Sequence, residues 1–211
     1  MDIRPSADRE TWDQFLGAQK PPTFLQSWAW GEMHRALGED VIRLEAHEAS
    51  RVVGVAQAVT VTARRGAFLH VPHGPVLGTN PEDAAAVEAC ALLLGSLRAE
   101  AARRRLHFLR VSPLQPDMPE FRTLYRRLSF RDAPIHLHAE RLWILDLSAD
   151  EPTLLAGMRK TTRNLIRRSE RENVRVRFSS SERDLPEFFR LYDETARRER
   201  FTPFPRKTLQ E

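Results

Sequence analysis

Between Val41 and Val71 the chain carries three β-rich runs with almost nothing between them, and no other feature constrains the fold as much. Val41 to Ala46 is the first run, Val52 to Thr62 the second and Ala67 to Val71 the third. Val and Thr dominate the middle run, and β-branched side chains favour the pleated conformation. The joints, Glu48 to Arg51 and Arg65-Gly66, are short polar turns, so hairpins are expected. The pattern then changes. A long helix is predicted over Pro81 to Arg105 and a strand over His107 to Val111, stopped by Pro113. A helix over Pro119 to Leu128 follows, with Phe121, Leu124, Tyr125 and Leu128 at helical spacing, and then an extended run from Ile135 to Leu147. Helices that alternate with strands imply crossover connections, so the sheet is expected to be mixed.

Upstream, Asp2 to Arg4 reads as a short strand stopped by Pro5. Asp8 is placed to cap a helix with Trp12, Phe15 and Leu16 on one face, ended by Pro21-Pro22. Ser27 opens a second helix, Trp28 to Leu37, closed by Gly38. With 41% hydrophobic residues among 211, the chain can bury a sizeable core. Its one cysteine, Cys90, excludes an internal disulfide and a cysteine-cluster zinc site, fits a reducing cytoplasm and is expected to pack in the core. The N-terminus shows no apolar signal region, and the longest apolar run, Ala89 to Leu94, is too short to span a bilayer. A cytoplasmic location is the expectation.

The stretch from Leu154 to Arg177 is amphipathic in a specific way. At about 100° per residue, Leu154, Leu155, Met158, Thr162, Leu165, Ile166 and Ser169 share one side, and Lys160, Arg163, Arg167 and Arg171 share the other. The helix is expected to end near Asn173, a residue that tolerates the left-handed region. A strand is predicted over Val174 to Phe178, then a helix from Ser181 to Arg198 with Ser181 and Asp184 as a capping box. The cationic row suits phosphate, diphosphate or RNA backbone, and the net charge of +4 permits any of these. The plainer alternative is a solvated face whose cations pair with Glu170 and Glu172. The order of elements starts again after residue 150, so the expected organisation is a first domain over 1–150 and the incomplete beginning of a second of the same kind over 151–211.

The element order is similar to the GNAT acyltransferase fold, an α/β (α+β) architecture with a mixed, mostly antiparallel sheet flanked by helices. Five segments together resemble the FemABX family. They are Phe24-Leu-Gln-Ser-Trp-Ala-Trp-Gly31, His73-Gly-Pro-Val76, Phe108-Leu-Arg-Val-Ser-Pro113, Met158 to Val174, and Glu187-Phe-Phe-Arg-Leu-Tyr192 with Thr195, Arg198 and Phe201. Ser169 and Asn173 stand where the family pattern has alanine and glycine. The resemblance implies two GNAT-like domains. It implies transfer of an amino acid from aminoacyl-tRNA to the peptide of a peptidoglycan precursor, lipid II or UDP-MurNAc-pentapeptide, in cell-wall bridge formation. Charged tRNA and the muropeptide would be the partners, in proximity to a membrane surface. Aminoacyl-tRNA would be co-substrate, with no cofactor and no metal. Family members continue through a whole second domain, so this chain is expected to be truncated within it.

Lys160, Arg163, Arg167 and Arg171 are the first candidates for substrate phosphates. The resemblance adds His34, where the family pattern often has a phosphate-contacting lysine, and His107, where some relatives place a substrate-contacting aromatic; ordinary surface and packing roles are the alternatives. His73 reads as loop-shaping and Trp28 and Trp30 as packing anchors. His136 and His138 have metal-ligand spacing but no third ligand near them in sequence, which favours solvent-facing histidines. Arg206 follows a Pro-rich loop where relatives contact substrate. No Ser/His/Asp order, Cys/His pair or Walker loop is present, and no general base is evident at Ser112 or elsewhere. Direct attack of an amine on the aminoacyl ester needs chiefly positioning and charge stabilisation. An acyl-CoA enzyme would need a loop of free backbone donors in Pro72 to Asn80, where Pro75 removes one. A GNAT acyltransferase using acyl-CoA and a non-catalytic RNA-binding module are the other two readings.

Overall fold

The computed structural model describes residues 1–63, 66–78, 84–138 and 143–210. The joint at Arg65, the predicted helix start at Pro81 and Leu142 lie outside them. The chain divides into two compact units, Met1–His138 with Lys207–Glu211 and Ala139–Arg206.

In the first unit the three β-rich runs form β2 (Val41–Glu48), β3 (Arg51–Ala63) and β4 (Gly66–Pro72), each antiparallel to the next. β1 (Asp2–Pro5) pairs antiparallel with β2, and the two-residue β5 (Val76–Leu77) with β3. The long helix α3 (Ala84–Arg103) then crosses over to β6 (Leu109–Ser112), which runs parallel to β4. The result is the expected mixed, mostly antiparallel sheet, in the order β1-β2-β3-β4-β6. A strand buried on both faces shows no clean alternation, and β3 is such a strand from Val53 to Val59.

Each face has its own cover. On one, Ile42, Leu44, Ala46, Ala56, Ala58, Leu69 and Val71 pack against Ala89, Leu93, Leu97 and Ala101 of α3. Cys90 lies on a neighbouring side of α3 with Leu94, against Phe121 and Leu124 of α4 (Pro119–Arg127). Burial pushes the Cys90 thiol up to about 12, which makes it the inert packing group the sequence suggested. On the other face lie α1 (Arg9–Gly17) and α2 (Trp28–Ala36). Asp8 caps α1, accepting from the N–H groups of Glu10 and Thr11 at 3.2 Å. Ser27 caps α2, its Oγ accepting from Trp30 N–H at 3.2 Å, and Gly38 takes the positive φ of 89° that follows the helix. Ser27→Ala is expected to lower unfolding free energy by about 1 kcal/mol, read as a shift of the urea midpoint at unchanged slope.

The second unit, with the run that leads into it, departs from expectation in four places. The amphipathic stretch is two helices, α5 (Glu151–Gly157) and α6 (Lys160–Arg171), because Met158 and Arg159 adopt extended ψ values of 156° and 146° after Gly157. Arg163 bridges the break, its Nη1 donating to the carbonyls of Ala156 (3.0 Å) and Met158. Helical periodicity runs through Gly157 on paper, whereas the backbone stops at that residue, the least helix-favouring there. Next, the strand expected over Val174 to Phe178 forms no ladder. Val176 is 82% exposed and Phe178 fully so; alternation favours an extended chain, but a strand needs a hydrogen-bonded neighbour. The extended run after Ile135 likewise contains no strand among the described residues. Last, there is no capping box. Ser181 Oγ accepts from Arg183 N–H at 3.3 Å, while the Asp184 carboxylate pairs with Arg177, 2.9 Å from Nη1. A 3₁₀ turn at Glu182–Asp184 leads into α7 (Leu185–Glu199), which buries Phe189 and Ala196. The short α8 (Arg206–Gln210) follows.

Candidate functional site

The sheet face under α1 and α2 carries the polar groups that hydrophobic patterning cannot explain. Arg43 and Gln57 stand directly opposite one another on β2 and β3, and both are buried. Arg43 Nε donates to Gln57 Oε1 at 2.8 Å, and its Nη2 to the Trp28 carbonyl at 2.9 Å. The guanidinium lies 3.7 Å from the centroid of the Trp28 ring and pairs with Glu32 at 2.9 Å. Burial pulls its pKa down from the ordinary guanidinium value, and Glu32 opposes that.

Gln57 then reaches the segment before α2. Its Nε2 donates to the Ser27 carbonyl at 3.0 Å. Its backbone N–H donates to Gln26 Oε1 at 2.7 Å, and Gln26 Nε2 donates to the carbonyls of Gln57 (3.0 Å) and Pro72 (2.6 Å). Trp12 Nε1 closes the set by donating to the Gln26 carbonyl at 2.7 Å. These bonds give the first motif, Phe24 to Gly31, a physical meaning: it is clamped edge-on to the sheet by buried amides. Gly31 is there because a Cβ would meet Arg43 Nη2 at 2.2 Å and Gln57 Oε1 at 2.3 Å; Gly74 of the second motif is likewise pressed against Gln26, which a Cβ would meet at 2.8 Å.

Further along the same face is a group of imidazoles. His70 on β4 is 5% exposed. Its Nε2 lies 3.0 Å from Nε2 of His138. His73 stands edge-on to His138 with ring centroids 5.4 Å apart, and its Nδ1 bonds Thr23 Oγ1 at 3.0 Å. Burial, helped by His138 and Arg110, pushes His70 down to about 4. Burial also lowers His73 and His138, with His138 and Arg110 respectively adding to it. At neutral pH these rings are uncharged. Among the described residues no group of three His, Cys, Asp or Glu is arranged to hold a metal ion.

The candidates read from the sequence are dispersed. His34 lies on α2, where its Nδ1 is already bonded to Glu39 and its ring meets Trp30 edge-on at 5.3 Å. That carboxylate opposes an incoming phosphate. His107 is tied to β4, its backbone N–H donating to the Ala67 carbonyl at 2.9 Å and its Nδ1 lying 3.0 Å from the same oxygen. No hydrogen bond, ion pair or ring contact joins His34 to His107 among the described residues. The cationic row belongs to the second unit. Lys160, Arg167 and Arg171 are exposed on α6, whereas Arg163 is half-buried and committed to the carbonyls across the helix break. Arg168, not one of the row, makes the pair with Glu172, at 2.6 Å. Arg206 is engaged internally, 2.8 Å from Asp193 and stacked over Phe189. His138 does not face solvent as its sequence spacing suggested. Arg43, Gln57 and His70 had no signal in the sequence, because only the β2–β3–β4 register puts them on one face, and Gln26 showed only as part of the first motif.

Comparison with known proteins adds to this geometry. Residues 136–203 match the FemAB family model. The crystal structure of FemX superposes on the whole chain with a TM-score of 0.76 at 18% identity, covering 100% of this chain and 53% of that one. The chain thus spans about half the length of FemX. TTHA1254 from Thermus thermophilus gives a TM-score of 0.47 at 20% identity, covering 69% of this chain and 100% of its own. An aminoglycoside 6'-N-acetyltransferase, AAC(6')-IG from Acinetobacter haemolyticus, gives 0.47 at 14% identity, covering 68% and 100%. No curated protein matches the chain. Among the described residues no helix is long and apolar enough to cross a membrane.

Proposed function

We infer that the chain belongs to the FemABX family, and on that premise we propose that it serves an acyltransferase of cell-wall synthesis. In this reading an amino acid passes from aminoacyl-tRNA to the peptide of a peptidoglycan precursor, UDP- or lipid-linked. The observation that carries it is the family match over residues 136–203, which takes in the whole cationic helix α6. The acceptor amine attacks the ester carbonyl, an amide C–N bond forms, and the ester C–O bond breaks. The ribose oxygen of tRNA leaves with the proton that the amine gives up. Such a step asks the protein for positioning and charge stabilisation and requires no cofactor.

Within that reading, Lys160, Arg167 and Arg171 are the groups offered to phosphate. Arg163 is a positioning residue, since its guanidinium fixes the angle between α5 and α6. Among the described residues, the end of the loop after β4 is not free to hold the pyrophosphate of acyl-CoA. A pyrophosphate needs free backbone N–H groups, yet Gly78 N–H is spent on the Val53 carbonyl at 2.9 Å and β5 is paired with β3. The test is binding, measured on this chain by calorimetry with UDP-MurNAc-pentapeptide, acetyl-CoA and uncharged tRNA in parallel. Muropeptide binding is expected, weakened about a hundredfold in the triple variant Lys160→Gln, Arg167→Gln, Arg171→Gln, at roughly 1 kcal/mol for each cation neutralised. Binding of acetyl-CoA without muropeptide would overturn the reading in favour of a CoA-dependent acyltransferase. Binding of tRNA alone, falling steeply with salt, would leave an RNA-binding module.

A further inference from the structure

The approach of His70 to His138 has a geometry that constrains what it can do. The Nε2 atoms are 3.0 Å apart, the ring centroids 5.2 Å apart and the ring planes within 15° of each other. The centroid distance exceeds the nitrogen distance by about the breadth of one ring, so the two nitrogens meet head to head. Lone pairs aimed along one line share a proton; two ligands of one tetrahedral metal would converge at an angle. Only one proton fits between them. One nitrogen donates, the other accepts, and the pair carries no charge.

His138 matters because of where it lies. It ends the Met1–His138 segment of the first compact unit, so the backbone that leads into the second unit passes through it. Residues 133–138 carry no strand or helix. Apolar burial holds them weakly, since Ile135 and Leu137 are 59% and 44% exposed. Polar contacts tie them to the sheet: Arg110 Nη2 donates to the Ile135 carbonyl, and His138 meets His70. The groups facing the imidazole pair have one sign. Arg110 stands opposite His70 in the β4–β6 register. His73 comes from the loop after β4, and His34 acts on His70 from α2 in the same sense as Arg110. Phe68 offers only a ring edge at 6.4 Å. Among the described residues no carboxylate bonds either imidazole, and Glu39 is occupied by His34.

We propose that the His70–His138 pair is a proton-operated latch, which fastens residues 135–138 to the sheet with one shared proton and lets them go when a second proton arrives. Two imidazoliums cannot both point N–H groups at each other across that gap, and beside Arg110 neither finds an anion. The latched state therefore binds fewer protons than the released one. Falling pH drives release, and the contribution of the latch is whole above the ordinary histidine value of about 6.5. It is lost as pH falls from there towards 4, where burial places His70. With one proton linked to opening, the equilibrium shifts by up to about tenfold per pH unit. This inference does not depend on the transferase reading.

Backbone NMR relaxation of the full chain at pH 7.0 and 5.0 tests it. The heteronuclear NOE of residues 135–138 is expected to be that of ordered backbone at pH 7.0 and to fall at pH 5.0, as the open state gains up to about tenfold per pH unit, while β3 stays ordered at both. In His138→Gln, whose amide bonds His70 without titrating, residues 135–138 are expected to stay ordered at both pH values. If that variant is mobile at both, His70→Gln takes its place, with the amide again answering the partner ring. The proposal is overturned if residues 135–138 relax identically at both pH values in the unmodified chain. It is also overturned if β3 opens with them, or if both glutamine variants keep the full pH response.

Discussion

Gln57→Leu is expected to cost the first unit about 3–5 kcal/mol, a large share of the stability of any single domain. The substitution is close in volume and looks mild. Its effect comes from what it orphans. Gln57 is fully buried, and its Oε1 is the acceptor for Arg43 Nε at 2.8 Å. Leucine leaves that guanidinium, with Nη1 already lacking a partner, short of a second bond in a site water does not reach. It also strips the Ser27 carbonyl of its 3.0 Å donor. Removing one member of a buried charged network costs more than removing all of it, because the survivors stay desolvated. Arg43→Met alone is therefore expected to be severe, and the double variant Arg43→Met, Gln57→Leu less severe than the sum by about 1 kcal/mol or more, on the order found for residues in one network. Guanidinium unfolding followed by tryptophan fluorescence measures all three. Additive losses, or a Gln57→Leu effect below about 1 kcal/mol, would mean the clamp is not one unit.

Much of this architecture is legible along the chain, and what is legible is local. The caps at Asp8 and Ser27 show because a capping side chain and the N–H it accepts from lie within three residues. The hairpins of β2, β3 and β4 show because their turns are short. The clamp shows only as wording. Phe24 to Gly31 can be matched to a family pattern, but the reasons for its Gln and Gly lie 31 and 12 residues away, at Gln57 and Arg43. The same distance hides His70: nothing on β4 signals that an imidazole from residue 138 will meet it. Where the sequence misleads, the cause is periodicity without a partner. Leu154 to Ser169 keeps a helical rhythm through Gly157, where the helix breaks, and Val174 to Phe178 alternates like a strand with no neighbour to pair with. The candidate residues fare in the same way. Lys160, Arg167 and Arg171 are on one exposed helix as spacing requires, whereas His34 is engaged by Glu39 beyond the end of its helix, outside helical i, i+3 or i, i+4 spacing, and His107 by a tertiary contact with Ala67.

Trp12→Ala is expected to lower unfolding free energy by about 3–5 kcal/mol, the range for deleting a fully enclosed large aromatic. Trp12 has no exposed surface and packs with Leu16 and Val55 beneath α1. Its ring meets Trp28 edge-on with centroids 6.3 Å apart, and its Nε1–H holds the Gln26 carbonyl at 2.7 Å. Two separable terms are present, a packing term and a hydrogen bond, and Trp12→Phe divides them. Phenylalanine keeps an aromatic body against Val55 but leaves the Gln26 carbonyl without its donor, so it is expected to cost about 1–3 kcal/mol. A Phe variant as damaging as the Ala variant would place most of the effect in that one bond, and so in the tie between α1 and the Phe24–Gly31 segment. A Phe variant near the parent would place it in packing alone. The measurement reaches beyond stability, because Trp12, Gln26, Gln57 and Arg43 are a single chain of bonds from α1 to β2. If that chain sets the position of α2, loss of the Trp12 bond should loosen the α2 backbone at Trp28 and Gly31, which amide exchange in the Phe variant reads directly. Unchanged protection there, with Gln26 deprived of its donor, would show that the amides of Gln26 and Gln57 hold the segment without help from α1.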